Sequence, residues 1–181
     1  MNKQPEITEK TRQIFVEAFC VLYSQKPIEK ITIQEIARKA GFNRSTFYQY
    51  FLDIDDLLTY VENDLLEYVY EKRGNIESNS DSFVSVLVGL YESKAIYFKA
   101  LFGDYGSQRF LEKLKSESKL DVPEKNLPDE HKLKPYILEY RLASALSLYR
   151  LWLRRGGSKD LPLEEFLSLA STLYKYGISS I

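Results

Sequence analysis

The sequence predicts an all-α protein, with a small three-helix head followed by a larger helical bundle. Three observations carry this reading. Apolar residues recur at helical spacing from Ile14 to Leu173. Helix starts and stops are written in the residues, as at Thr32-Ile33-Gln34-Glu35 and Gly41. Eight glycines and six prolines in 181 residues leave too few turns for a chain of many short strands. No segment shows a defensible strand alternation.

Each element follows from local chemistry. Ile14, Ala18 and Leu22, with Phe15 and Phe19 beside them, form an apolar stripe that predicts a helix over 9–24. At Thr32-Ile33-Gln34-Glu35 the hydroxyl can accept an amide while the carboxylate reaches back, so a second helix begins there. Ile33, Ile36 and Ala37 face inward, Arg38 and Lys39 end the helix, and Gly41 suits the left-handed residue beyond it. Asn43 can cap a third helix with Phe47, Tyr50 and Phe51 on its inner side. Asp53, Asp55 and Asp56 stand where acids favour the start of a fourth. That helix continues through Leu57, Leu58, Val61, Leu65, Leu66 and Val69 to about Lys72.

Residues 74–80 form a polar break. Helices are expected over 81–101 and 107–120, separated by a turn at Gly103 and Gly106. Pro123, Pro128 and Pro135 among charges make 116–135 a mobile linker with little regular structure. A helix over 135–155 stops at Gly156-Gly157, and another over 162–177 opens at Pro162 with Glu164 and Glu165 behind it.

Composition narrows the function. The chain is 44% hydrophobic and 28% charged with net charge −1, an ordinary soluble balance. Its longest apolar run, Phe83 to Tyr91, contains Ser85 and Gly89 and is far too short for a membrane span. No apolar segment follows a basic start, so no signal peptide is read and a cytoplasmic location is expected. One cysteine, Cys20, excludes an internal disulfide and a cysteine-based zinc cluster. One histidine, His131, leaves no Ser-His-Asp arrangement and no multi-His site, so neither enzyme nor metal cofactor is expected. Residues 1–52 hold eight Lys or Arg against five Glu, while the remainder is net acidic. A basic head on an acidic body suits a polyanion partner.

Residues 32–51 carry the function. A capped helix, a turn at Ala40-Gly41-Phe42 and a second short helix make a helix-turn-helix unit, whose second helix can enter the major groove of double-stranded DNA. Asn43, Arg44, Ser45 and Thr46 occupy its first turn, with Tyr48 and Gln49 following on the outward side. Arg44 can present a bidentate fork to guanine, and Gln49 can pair with adenine or meet a phosphate. The hydroxyls of Thr32 and Tyr48, and the amides of the first turn, can hold phosphate oxygens; Gln34 lies beside them. The same two short helices and glycine turn also occur in helical proteins that never touch DNA.

The run Thr32-Ile33-Gln34-Glu35-Ile36-Ala37-Arg38-Lys39-Ala40-Gly41-Phe42-Asn43-Arg44-Ser45-Thr46-Phe47-Tyr48-Gln49-Tyr50-Phe51 resembles the signature of TetR-type (TetR/AcrR) transcriptional regulators. The resemblance covers 8–68. It implies a bacterial all-α homodimer, with a DNA-binding domain over 8–68 and an effector-binding and dimerisation domain over 69–181. In that family the last two helices form the dimer's four-helix bundle, which maps loosely onto Tyr136 to Ile178 here. The pattern departs at Ile54, where the family commonly places a lysine that meets a phosphate.

Within the second domain, Tyr91, Phe98 and Phe102 are candidates to wall an effector pocket, though aromatics at such spacing are more often core, and Tyr149 and Trp152 are candidates for either a pocket or the dimer seam. Leu142, Ala145, Leu146, Tyr149, Phe166, Leu169, Ala170 and Leu173 are candidates for the dimer seam, since the two closing helices carry more apolar residues than one core face needs. Cys20 reads as a small buried hydrophobe and His131 as solvated. The leading reading is an effector-released repressor acting on a palindromic operator. The alternative is an adaptor or co-activator of the same fold whose head engages a protein instead of an operator. An enzyme lacks any constellation of nucleophile, base and orienting group.

Overall fold

The computed structural model describes residues 3–73, 80–106, 108–116, 132 and 134–176. The expected linker over 116–135, His131 included, lies almost entirely outside them. Every regular element among the described residues is helical: α1 (Lys3–Tyr23), α2 (Ile33–Ala40), α3 (Arg44–Phe47), α4 (Ile54–Arg73), α5 (Ser80–Phe102), α6 (Gln108–Ser116), α7 (Lys134–Arg154) and α8 (Leu163–Tyr176). Two single 3-10 turns, Ile28–Lys30 and Gly157–Lys159, fall at connections where no helix was expected. None of the described helices is long and apolar enough to cross a membrane.

The chain packs as two units. One comprises Met1–Ser78 with Gly89–Gly106, and the other Asn79–Val88 with Ser107–Ile181.

In the first unit an aromatic cluster joins α1 to the helix-turn-helix. Phe15 of α1 lies 5.6 Å, edge to face, from Phe47. Phe42 and Tyr50 reach the same Phe15 ring at 5.3 and 5.8 Å. Phe47 and Phe15 are fully buried, as are Ile36 of α2 and Leu57, Val61 and Leu65 of α4. Such a cluster stabilises through buried area and through ring pairs worth about 0.5–1.5 kcal/mol beyond it. Cys20 is likewise buried, and burial holds its thiol far above its usual titration range.

The second half of α5 packs in this unit through a polar network. Lys94 Nζ pairs with Asp64 of α4 at 2.8 Å and lies over the rings of Tyr97 at 4.4 Å and Tyr68 at 5.3 Å. Tyr97, buried, donates its hydroxyl to Gln13 Oε1 of α1 at 3.2 Å. Burial foremost, then the nearby Asp64 carboxylate, raise the Tyr97 pKa, so the phenol stays protonated. At Lys94 the backbone leaves helical geometry (φ −128°, ψ 25°), which kinks α5 where this network grips it. After α5, a Cβ at Gly106 would run into the carbonyl oxygen of Leu101, so the turn there requires glycine.

In the second unit, α7 and α8 form a hairpin around Trp152, only 4% exposed. Its indole stacks on Phe166 with centroids 5.0 Å apart and planes at 19°. The indole N–H donates to the Leu161 carbonyl at 2.8 Å, so the buried donor is satisfied. Arg155 grips Asp160 through two hydrogen bonds, of 2.7 and 3.1 Å, across the connecting turn. On α6, Phe110 and Leu114 are buried, and Lys115 pairs with Glu139 of α7 at 2.7 Å.

Candidate nucleic-acid interface

The helix-turn-helix is held by three consecutive caps. At α2 the capping box forms as written: Thr32 Oγ1 accepts the Glu35 amide at 3.2 Å, and Glu35 Oε2 accepts the Thr32 amide at 3.0 Å. The other Glu35 oxygen accepts Lys26 Nζ at 2.7 Å, a link outside the sequence reading because nine residues separate the two. The Lys26 hydrogen bond, followed by those from Thr32, holds the Glu35 carboxyl below the usual carboxylate range. Gly41 closes α2 at φ 78° in the left-handed region, its amide returning to Ala37 and Arg38.

At α3, Asn43 Oδ1 accepts the Thr46 amide at 2.8 Å, and also the Ser45 and Thr46 hydroxyls at 2.7 and 2.9 Å. The helix is one turn long, where a helix reaching Phe51 was expected. Gln49 and Tyr50 donate their amides to the carbonyls three residues back, Thr46 and Phe47, so the chain tightens into a turn and swings Tyr50 and Phe51 inward. At α4, Asp53 Oδ1 accepts the Asp56 amide at 2.8 Å and Asp56 Oδ2 accepts the Leu52 amide at 2.9 Å. Two of the three acids are therefore turned to their own helix start, and Ile54 is half-buried beside them.

These caps decide what each predicted residue presents. Thr32, Gln34, Asn43, Arg44, Ser45, Tyr48 and Gln49 line the outer side of the head, with Thr46 half-buried among them. The Thr32 hydroxyl proton is directed to Glu35 Oε2 at 3.1 Å, and those of Ser45 and Thr46 to Asn43. A phosphate oxygen needs a donor, so these hydroxyls must rotate to meet one. Arg44 and Tyr48 are brought together. The guanidinium donates to the phenol oxygen from Nη2 at 2.7 Å and from Nε at 3.2 Å. Their i, i+4 spacing is the signal that predicts such a pair. Leu52, 80% exposed at the turn into α4, and exposed Arg38 and Lys39 complete this face.

The effector candidates fall into a cluster in each unit. Tyr91, Phe98 and Phe102 are half-buried along α5, ring to ring at 5.7 and 5.6 Å. Tyr149 lies 5.9 Å from Trp152. Of the seam candidates, Phe166 is buried within its own hairpin against Trp152. Ala145 and Leu169 are exposed, and Leu142, Leu146, Tyr149, Leu173 half-buried, with Ala170 on the same helix as Leu169. Sequence reasoning missed Tyr136, Tyr140, Leu151 and Tyr176, all exposed. Tyr136, Tyr140, Ala143, Ser147 and Leu151 follow a 4-3-4-4 spacing along one stripe of α7, a pattern legible in the sequence.

Residues 15–61 match the family model of the bacterial regulatory proteins of the tetR family. Those residues span the second half of α1, the helix-turn-helix and the start of α4, so the aromatic cluster and the three caps all lie within or at the edge of the match. The head of this chain is therefore similar to that of the tetR-family regulators. The chain is also similar to a solved structure described as the dihydroxyacetone kinase operon activator DhaS. The two share 25% sequence identity over 93% of this chain and 96% of that one, with a TM-score of 0.53.

Proposed function

We propose that this regulator binds an inverted-repeat operator as a homodimer and is released from it by a small-molecule effector. The observation that carries the reading is that Arg44, at the start of a short helix fixed by Asn43, and Tyr48 and Gln49, in the turn that ends it, are all exposed. Arg44 is the base reader, through a guanidinium fork suited to guanine, and Gln49 stands on the same outward side. The exposed basic residues Arg38 and Lys39 supply charge for phosphates.

The dimer is supported by the apolar stripe on α7 and by Leu169 and Tyr176 on α8, which stand exposed in one copy. Joining two α7–α8 hairpins would make a four-helix bundle around a two-fold axis. Two-fold symmetry then requires dyad symmetry in the DNA, with half-sites about one helical turn apart or slightly more.

Selection of bound sequences from a random duplex pool tests the reading. The expected product is an inverted repeat. A consensus without dyad symmetry defeats the dimeric docking, and recovery of no sequence defeats DNA recognition in favour of a protein-binding head.

The sign of regulation has two readings. A repressor covers its promoter, whereas the description of the DhaS structure as an operon activator favours positive control. Transcription in vitro from a template carrying the selected site, with and without the protein, separates them directly.

A further inference from the structure

Tyr48 has two possible jobs in a DNA-binding head: an independent phosphate contact, or a holder of the base-reading arginine. We propose the second: Tyr48 is the positioning residue that sets the base preference read by Arg44. The inference rests on the reading of this face as a DNA interface.

The geometry of the pair carries it. Arg44 opens α3 and Tyr48 closes it, one turn apart. The phenol oxygen receives Nη2 at 2.7 Å and Nε at 3.2 Å, and the guanidinium carbon lies 5.4 Å from the ring centre. The Tyr48 ring, 46% exposed, has an edge contact with the buried Phe47 ring (centroids 5.7 Å, planes 85°), which links it to the head's core. Tyr48 therefore connects a buried aromatic cluster to the long, exposed Arg44 side chain.

Counting protons shows why this clasp is compatible with reading a base. A guanidinium has five N–H groups. Tyr48 takes the one on Nε and one on Nη2, which leaves both on Nη1 and the outward one on Nη2. Those remaining donors form the end-on fork that spans guanine O6 and N7. The phenol's own proton stays available for a phosphate oxygen. One residue thus holds the reader without consuming its reading edge, and the ordering of a long arginine side chain is met before DNA arrives.

The consequence departs from a simple division between base reader and phosphate contact. A lost phosphate contact weakens binding to every sequence alike. A lost holder lets the fork wander, so preference at one base position should fall.

The experiment compares the wild type with Arg44→Ala, Tyr48→Phe and the double variant, using the full chain. Each is put through random-pool selection and then titrated against the wild-type consensus duplex and its single-base variants. Tyr48→Phe keeps the ring against Phe47 and loses only the hydroxyl; an unchanged thermal melt verifies the fold. Wild type is expected to discriminate roughly five- to 150-fold at the Arg44 position. Tyr48→Phe should flatten preference at that same position, and adding it to Arg44→Ala should change that preference no further. Uniform weakening by Tyr48→Phe with an intact consensus overturns the proposal while leaving the operator reading standing. So do independent, multiplying effects of the two substitutions. Failure of the wild type itself to select any sequence removes both.

Discussion

The head and the α7–α8 hairpin handle their apolar side chains in opposite ways. In the head, Phe15, Phe42, Phe47 and Tyr50 meet within one chain, and Phe15, Phe19, Ile36, Leu57 and Leu65 are fully buried. In the hairpin, Trp152 and Phe166 bury one another while Tyr136 and Tyr140 stand 74% and 73% exposed, with Leu151, Leu169 and Tyr176 also outside. A three-helix unit closes its own core because its short helices cross and share one aromatic centre. Two helices side by side have inner faces that satisfy each other and outer faces that do not. The head presents polar groups such as Arg44 and Gln49 outward, with Leu52 and Tyr48 exposed among them; the hairpin's exposed stripe is mainly apolar and aromatic.

Substitutions sharpen that contrast. The largest effect belongs to Phe47→Ala, which removes a fully buried ring from the shared centre of the head. A loss of about 3–5 kcal/mol is expected in urea denaturation, with the cavity adding to the lost burial. A loss under about 1 kcal/mol would mean that the aromatic cluster is not what holds the head. Tyr140→Glu should do the reverse, leaving the protomer's own unfolding almost unchanged. At the proposed seam it should weaken self-association by about 2 kcal/mol or more, roughly thirtyfold, seen in a sedimentation dilution series. Unaltered self-association would place the interface elsewhere.

Smaller effects come from the caps. Thr32→Ala removes the hydroxyl that accepts the Glu35 amide and should cost about 1 kcal/mol, measured as a shift in the urea midpoint. Glu35 gives the same box a pH dependence. Its folded-state pKa is depressed, first by Lys26, so its contribution is present above the ordinary carboxylate range and is lost as pH falls through the lowered folded value. The stability gap between wild type and Glu35→Gln should therefore be widest near neutrality and close in acid. A gap that stays constant with pH would show that the ion pair does not form.

Smallest in stability is Ile54→Lys, at a half-buried position beside capped acids. It should leave base preference unchanged and steepen the salt dependence of binding by about 0.9 in log–log slope for each additional phosphate neutralised. An unaltered slope in a folded variant would mean that this helix start stays clear of the DNA backbone.

Much of the head is legible in the sequence because its information is local. Thr32 with Glu35, Asn43 with Thr46, and Gly41 at a left-handed residue are each settled within five positions, where backbone geometry leaves little choice. The apolar stripe of α1 and the aromatics of 42–51 likewise announce which faces turn inward, and the order of those residues resembles a family by itself. Tertiary structure alone decided what depends on distant partners or on competition among them. Lys26 finds Glu35, Lys94 finds Asp64, and α5 kinks at Lys94, none of which periodicity can show. Phe166, a seam candidate by spacing, stacks on Trp152 and is buried within its own hairpin, a contact that spacing does not show. Arg44 and Tyr48 each have a role by residue type; their i, i+4 spacing allows a pair, and the structure shows the two hydrogen bonds that form it. Short-range rules specify which faces exist, whereas the side chain that reaches a face first is settled by packing in three dimensions.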